Sequence, residues 1–129
     1  MGQYRFSETS LKNLEGVDDR LQRIAYTVIQ IIDCRVLSGL RTFKEQEQLV
    51  AEGKSKILHS RHLHGMAIDV APYPINWQDT NGFCYFAGIM KGVAHMYGIP
   101  LRWGGDWDQD GIVIRDQTFN DLVHFEIPK

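Results

Sequence analysis

The chain has 129 residues, of which 43% are hydrophobic and 23% charged, with a formal net charge of −2. That is enough chain for one core, and residues 1–129 are expected to form a single domain. The near-balanced charge removes the electrostatic case for nucleic acid as a partner, and the absence of any run of about eighteen apolar residues excludes a membrane-spanning helix.

In chain order, "MGQYRFSETS" lacks a charged head followed by an apolar core, so no secretory signal is expected and synthesis in the cytoplasm is. Gly2 follows Met1, but Phe6 breaks the myristoylation pattern. Val17, Leu21, Ile24, Val28 and Ile31 recur at three- and four-residue steps behind Asp18 and Asp19, which predicts an amphipathic helix over about 18–31. "CRVLSG" reads as a short buried strand ending at Gly39. "TFKEQEQLVAEG" predicts a second helix with Thr42 as N-cap and Gly53 closing it. Residues 54–65 have neither period and read as loop.

"MAIDVAPY" predicts a strand stopped by Pro72 and Pro74, and Thr80 to Tyr97 a long, mostly apolar helix ended by Gly98. "IPLRWGG" is a further strand, "DWDQDGIVIRDQTFND" a long acidic connection and "HFEI" a last strand. Helices and strands mix without βαβ alternation. The expected class is α+β, with helices packed on a small, largely antiparallel sheet. Cys34 and Cys84 lie in apolar contexts and read as buried thiols, which fits a reducing compartment.

"HSRHLHGMAID", residues 59–69, holds three histidines, a glycine and an aspartate. Side chains alternate along a strand, so Ala67 and Asp69 share one face while Met66 and Ile68 share the other. Small Ala67 leaves room beside Asp69, and Gly65 permits a tight approach or a positive φ just before the strand. His62 or His64 can then fold back toward Asp69. A further ligand has to come from elsewhere, and "DLVHFE" offers His124 with Asp121 three residues before it. In a straight strand those two face opposite sides, so a shared site requires residues 121–123 to turn, with His124 opening the strand. Glu126 then lies on the His124 face. Two histidines, one carboxylate and a water form a four-coordinate catalytic zinc site, and a free carboxylate such as Asp121 can move the water's proton to a leaving amine. Two imidazoles with one carboxylate favour zinc over manganese or cobalt.

"SRHLHGMAID" matches S-x-H-x-x-G-x-A-x-D and so resembles the zinc peptidases of bacterial peptidoglycan: D-alanyl-D-alanine carboxypeptidases, related dipeptidases and L-alanyl-D-glutamate endopeptidases. "DLVHFE" resembles their second signature, "SGLRT" followed by "EQ" their region around a substrate-binding arginine, and "LRWGGDW" their strand before the last loop. The resemblance runs from about Ser7 to Ile127. The small size is most like phage and prophage endolysins of the L-alanyl-D-glutamate type. It implies His62, Asp69 and His124 as zinc ligands and Asp121 as catalytic base. Many carboxypeptidases and dipeptidases of the group carry glutamate at that last position. It also implies that Arg41 binds the substrate carbonyl or developing oxyanion, that Ser60 supports the loop or touches substrate, and that Glu126 orients a histidine ligand. The implied partner is a peptidoglycan stem peptide, attacked by a monomer released to the wall through a holin-type route.

His59 and His64 read as solvated loop residues and His95 as a packed or partly exposed helix residue. Trp103 and Trp107 could line a substrate cleft, but core packing is the default reading. Asp106, Asp108 and Asp110 in "DWDQDG" match the start of a calcium loop, but its twelfth position is Gln117 rather than glutamate, so calcium stands there against an acidic surface turn. Two other functions compete: cleavage of D-alanyl-D-alanine by a carboxypeptidase or dipeptidase, and a non-catalytic, metal-stabilised wall-binding module. A metal phosphoesterase lacks its phosphate-binding glycine loop.

Overall fold

The computed structural model describes residues 3–55 and 57–129; Gly2 and loop position 56, on which two of the expectations above fall, lie outside them. The elements run α1 (Glu8–Leu14), α2 (Asp19–Val28), β1 (Cys34–Ser38), α3 (Phe43–Ala51), a 3₁₀ turn (Arg61–His64), β2 (Ala67–Pro72), α4 (Thr80–Met96), β3 (Arg102–Gly104) and β4 (Asp121–Glu126). The four strands form one antiparallel sheet in the order β1-β2-β4-β3, the α+β arrangement expected.

Local chemistry accounts for the helix boundaries. Asp18 caps α2 by accepting the Arg20 N–H, and Thr42 and Glu45 form a reciprocal capping box at the start of α3. Gly53 and Gly98 take positive φ just beyond α3 and α4, as a left-handed terminating residue must. Helix α2 stops three residues short of the expected span. From Gln30 the amides bond to carbonyls three residues back (Gln30 to Thr27, Ile31 to Val28), so the last turn tightens before the chain enters β1.

Helix α1 is absent from the sequence reading. It has seven residues, too few for an apolar period to show. Ser7 caps it, and its side chains cover the outer edge of β1. Ser10 Oγ accepts the Val36 N–H at 3.0 Å, and Asn13 Nδ2 donates to the Val36 carbonyl at 2.8 Å. An edge strand's free backbone groups are thereby satisfied by polar side chains.

Ile68 and Val70 of β2 turn into the core with Phe86 and Met90 of α4 and Phe125 of β4. The Phe86 and Phe125 rings meet edge to face at 6.1 Å. The period of two then sends Asp69, His124 and Glu126 to the opposite face. Burying one face on α4 therefore selects which side chains reach the other.

Candidate metal centre

The stretch before β2 folds through two local devices. Ser60 accepts the His62 N–H at 3.1 Å and starts the 3₁₀ turn, and Gly65, at φ +70°, ends it. A Cβ at residue 65 would sit 2.7 Å from the Gly16 carbonyl oxygen, so glycine serves both the positive φ and the close approach expected there. The turn lays His62, only 1% exposed, beside Asp69, while His64 and His59 stay exposed as expected.

His62 Nδ1 lies 2.8 Å from the Gly39 carbonyl oxygen. A carbonyl only accepts, so Nδ1 carries the proton and Nε2 is left facing Asp69 Oδ1 at 3.2 Å. His124 uses the opposite nitrogens: Nε2–H donates to Glu126 Oε1 at 2.8 Å, and Nδ1 lies 3.4 Å from Asp69 Oδ1. One ligand atom from each of His62, Asp69 and His124 falls within 4.8 Å of the others. Two imidazole nitrogens and a carboxylate oxygen aimed at a common point, each imidazole anchored through its far N–H, fit a divalent ion with an open coordination position.

The electrostatics agree with a centre built for positive charge. Burial alone would raise the Asp69 carboxyl, but the His124 and His62 imidazoles set against its oxygens outweigh that and hold the group well below the ordinary 3.8 in the metal-free protein. Burial opposes charge on His124 too, yet Asp69 and Glu126 raise it to about 9 in the metal-free protein. Asp121 is pushed up, first by burial and then by the Asp69 charge. Glu126 is held down because His124 and Arg102 together overcome its burial.

The structure places Asp121 differently from expectation. Residues 121–123 do not turn, and His124 does not open the strand: β4 runs unbroken from Asp121. Gly104 of β3 pairs with Asp121 while its neighbour Trp103 pairs with Phe125, so β4 bulges between those pairs. Trp103 Nε1 donates to the Leu122 carbonyl within the bulge at 2.8 Å. The bulge resets the alternation, and Asp121 and His124 line the same cleft of about 1180 Å³.

Arg41 also lines that cleft. Its Nη2 reaches Asp69 Oδ2 at 2.9 Å, Nε the Ser38 hydroxyl at 3.0 Å and Nη1 Gln46 Oε1 at 3.0 Å. Gln46 is fully buried, and its amide donates to Ser55 Oγ and the Ile57 carbonyl. The sequence reading missed it as a site residue, although it is the glutamine of the "EQ" that follows Arg41. Trp103 is core, as expected. Trp107 is not: it stacks on Phe119 (6.1 Å, 9° between planes), packs against the His124 ring at 5.5 Å and forms part of the cleft wall.

The model of the phage L-alanyl-D-glutamate peptidase family matches residues 1–127. The chain belongs to this family. Among curated proteins, the chain is 32% identical over 116 residues to the L-alanyl-D-glutamate peptidase of Escherichia phage T5, covering 84% of this chain and 85% of that one. It is 29% identical over 114 residues to the peptidoglycan L-alanyl-D-glutamate endopeptidase CwlK of Bacillus subtilis (strain 168), covering 74% of this chain and 61% of CwlK. The crystal structure of the Serratia marcescens L-Ala D-Glu endopeptidase ChiX superposes with a TM-score of 0.78 at 28% identity, over 98% of this chain and 92% of ChiX. The D,D-dipeptidase VanXYg shares the fold (TM-score 0.52, 19% identity, 84% of this chain and 47% of that one).

In this chain the sequence-predicted ligands His62, Asp69 and His124 converge, with Arg41, Ser60, Asp121 and Glu126 around them. Asp106, Asp108 and Asp110 form a separate group whose carboxylate oxygens lie within 4.8 Å of one another. Those oxygens accept the N–H groups of Asp110, Gly111 and Ile112. The cysteines are unpaired. Cys34 is buried, with its thiol pushed up to about 12 by that burial, whereas Cys84 is half-buried rather than fully buried as expected.

Proposed function

We propose that the chain is a zinc-dependent endopeptidase that hydrolyses the bond between L-alanine and D-glutamate in peptidoglycan stem peptides. The observation that carries the metal dependence is the opposed anchoring of the two imidazoles, His62 by the Gly39 carbonyl and His124 by Glu126, which leaves one nitrogen of each turned to Asp69. In this reading His62 Nε2, His124 Nδ1 and an Asp69 oxygen hold the ion. When bound, such an ion supplies Lewis acidity, lowering the pKa of water to about 7 and polarising a carbonyl.

The chain's own groups do the rest. Asp121 is not needed as a ligand, and its raised pKa makes it a better proton acceptor than an ordinary carboxylate. It takes the proton from water as the oxygen bonds to the L-alanyl carbonyl carbon. It returns that proton to the D-glutamyl nitrogen as the C–N bond breaks. Arg41, clamped by Ser38 and Gln46, keeps a fixed cation beside the reacting carbonyl oxygen. Ser60 supports the turn that carries His62, and Glu126 orients His124. The carboxylates of Asp106, Asp108 and Asp110 also accept the loop's own backbone amides, calcium stands there against an acidic surface turn, and the steps above use no group of that loop. Release to the wall by a holin-type route belongs to the same reading, and no helix among the described residues is long and apolar enough to cross a membrane.

Digestion of purified peptidoglycan followed by analysis of the new amino termini tests the scissile bond. New D-glutamyl termini are expected, and released D-alanine would instead support the carboxypeptidase or dipeptidase. Metal analysis of protein purified without added metal should give one zinc per chain, and a wall effect unchanged in Asp121→Asn would mark a binding module.

A further inference from the structure

Arg102 lies on β3 directly across from Glu126 on β4. Its Nε and Nη2 both donate to Glu126 Oε2, at 3.2 and 2.6 Å, while Oε1 of the same carboxylate accepts from His124 Nε2 at 2.8 Å. The Glu126 side chain is 5% exposed and that of Arg102 34%. A carboxylate is planar, so two N–H groups of a rigid guanidinium on one oxygen fix the direction of the other. The Arg102 guanidinium also lies 5.7 Å from the Trp107 ring centroid, and that ring packs against His124. Arg102 thus reaches the His124 imidazole by two routes without touching it.

We propose that Arg102 is a positioning residue for His124: by clamping Glu126 it keeps the imidazole turned so that Nδ1 faces the point shared with His62 and Asp69. The inference rests on the metal-centre reading above. A residue that merely ties β3 to β4 would matter for stability but not selectively for metal affinity. A residue that only contacts substrate would raise KM and leave metal affinity alone.

The test is zinc affinity, measured on the full chain by competition with a chromophoric chelator. Arg102→Met keeps an unbranched apolar stem and removes the fork. It is expected to weaken zinc binding about tenfold, the low end for groups that support a ligand. Arg102→Lys restores a charge without the planar fork and should recover part of the loss. In Glu126→Gln the amide carbonyl can still accept from His124, but nothing on its other side accepts from Arg102. Adding Arg102→Met to that background should therefore cost no further affinity. Arg61 makes a comparable tie, donating from Nε and Nη2 to the Ile127 carbonyl, and Arg61→Met should bind zinc as the parent does.

Parental affinity in Arg102→Met overturns the proposal. So does an equal loss in both Glu126 backgrounds, an equal loss in Arg61→Met, or a raised KM with zinc affinity intact. If Arg102→Met does not fold, Arg102→Lys decides, and parental affinity there overturns the proposal. A parent chain that binds no zinc overturns the metal-centre reading and this inference with it. A zinc-binding parent with an unaltered Arg102→Met overturns this inference alone.

Discussion

Replacing Gly104 by alanine should separate the metal centre from the proton-moving group. A Cβ at residue 104 would lie 2.9 Å from the Asp121 carbonyl carbon and 3.0 Å from its Cβ, with the carbonyl oxygen closer still, whereas ordinary contact begins at 3.4 Å. Asp121 must therefore withdraw by at least about 0.5 Å (3.4 less 2.9 Å), and more at the oxygen. Every atom involved belongs to Asp121, mostly to its backbone, so no flexible side-chain end can absorb the clash. Overpacking of this kind costs about 1–3 kcal/mol of stability. The catalytic cost should be larger, because displacing a reacting group by about 1 Å can lower turnover about a hundredfold. His124 lies beyond the bulge, where Trp103 still pairs with Phe125, so zinc affinity should hold. Urea unfolding, turnover on purified peptidoglycan and zinc competition on one preparation read the three quantities. Full turnover with stability within about 0.5 kcal/mol of the parent would refute the claim that this close approach sets Asp121. Equal loss of zinc and turnover would refute the separation of the two halves of β4.

Asp121→Asn keeps the shape of the residue but removes the proton acceptor. Turnover should fall about 10²- to 10⁴-fold with zinc content unchanged, as read by metal analysis beside a digestion assay. In chelator-treated protein the Asp121 carboxyl should titrate above the ordinary 3.8, as read by NMR, because burial and then the Asp69 charge raise it. Metal removal should make stability pH-dependent in a defined direction. His124 rises from 6.5 to about 9 on folding, so its contribution is complete below pH 6.5 and lost as pH climbs through 9. Chelator-treated protein should therefore show a falling Tm between pH 7 and about 9.5, and a flat or rising Tm would contradict it. Gln46→Leu removes the acceptor of Arg41 Nη1 and the donor to Ser55 Oγ and the Ile57 carbonyl. It should cost about 1–3 kcal/mol in urea unfolding and reduce turnover while sparing zinc.

What the sequence made legible follows the range of the signal. Local chemistry was readable in Thr42 with Glu45, in Gly65 and in the alternation that sends Asp69 away from Ile68. Each is decided within a few residues. Helix α1 was not readable, because what holds it is the bonding of Ser10 and Asn13 to Val36, more than twenty residues away. The same limit explains the error at Asp121. Alternation in a straight strand separates Asp121 from His124, and the reading reconciled them with a turn inside β4. The fold uses a bulge, whose cause lies on the neighbouring strand, where glycine at 104 admits Asp121 and Trp103 bonds within the kink. Gln46 and Arg102 were missed for a related reason: neither is a candidate ligand, and each bonds a group brought to it from another element, while Trp107 was assigned to the core over the cleft wall it forms. The candidate ligands are spelled out in short motifs whose spacing is local, whereas the side chains bonded behind them meet only once the sheet has formed.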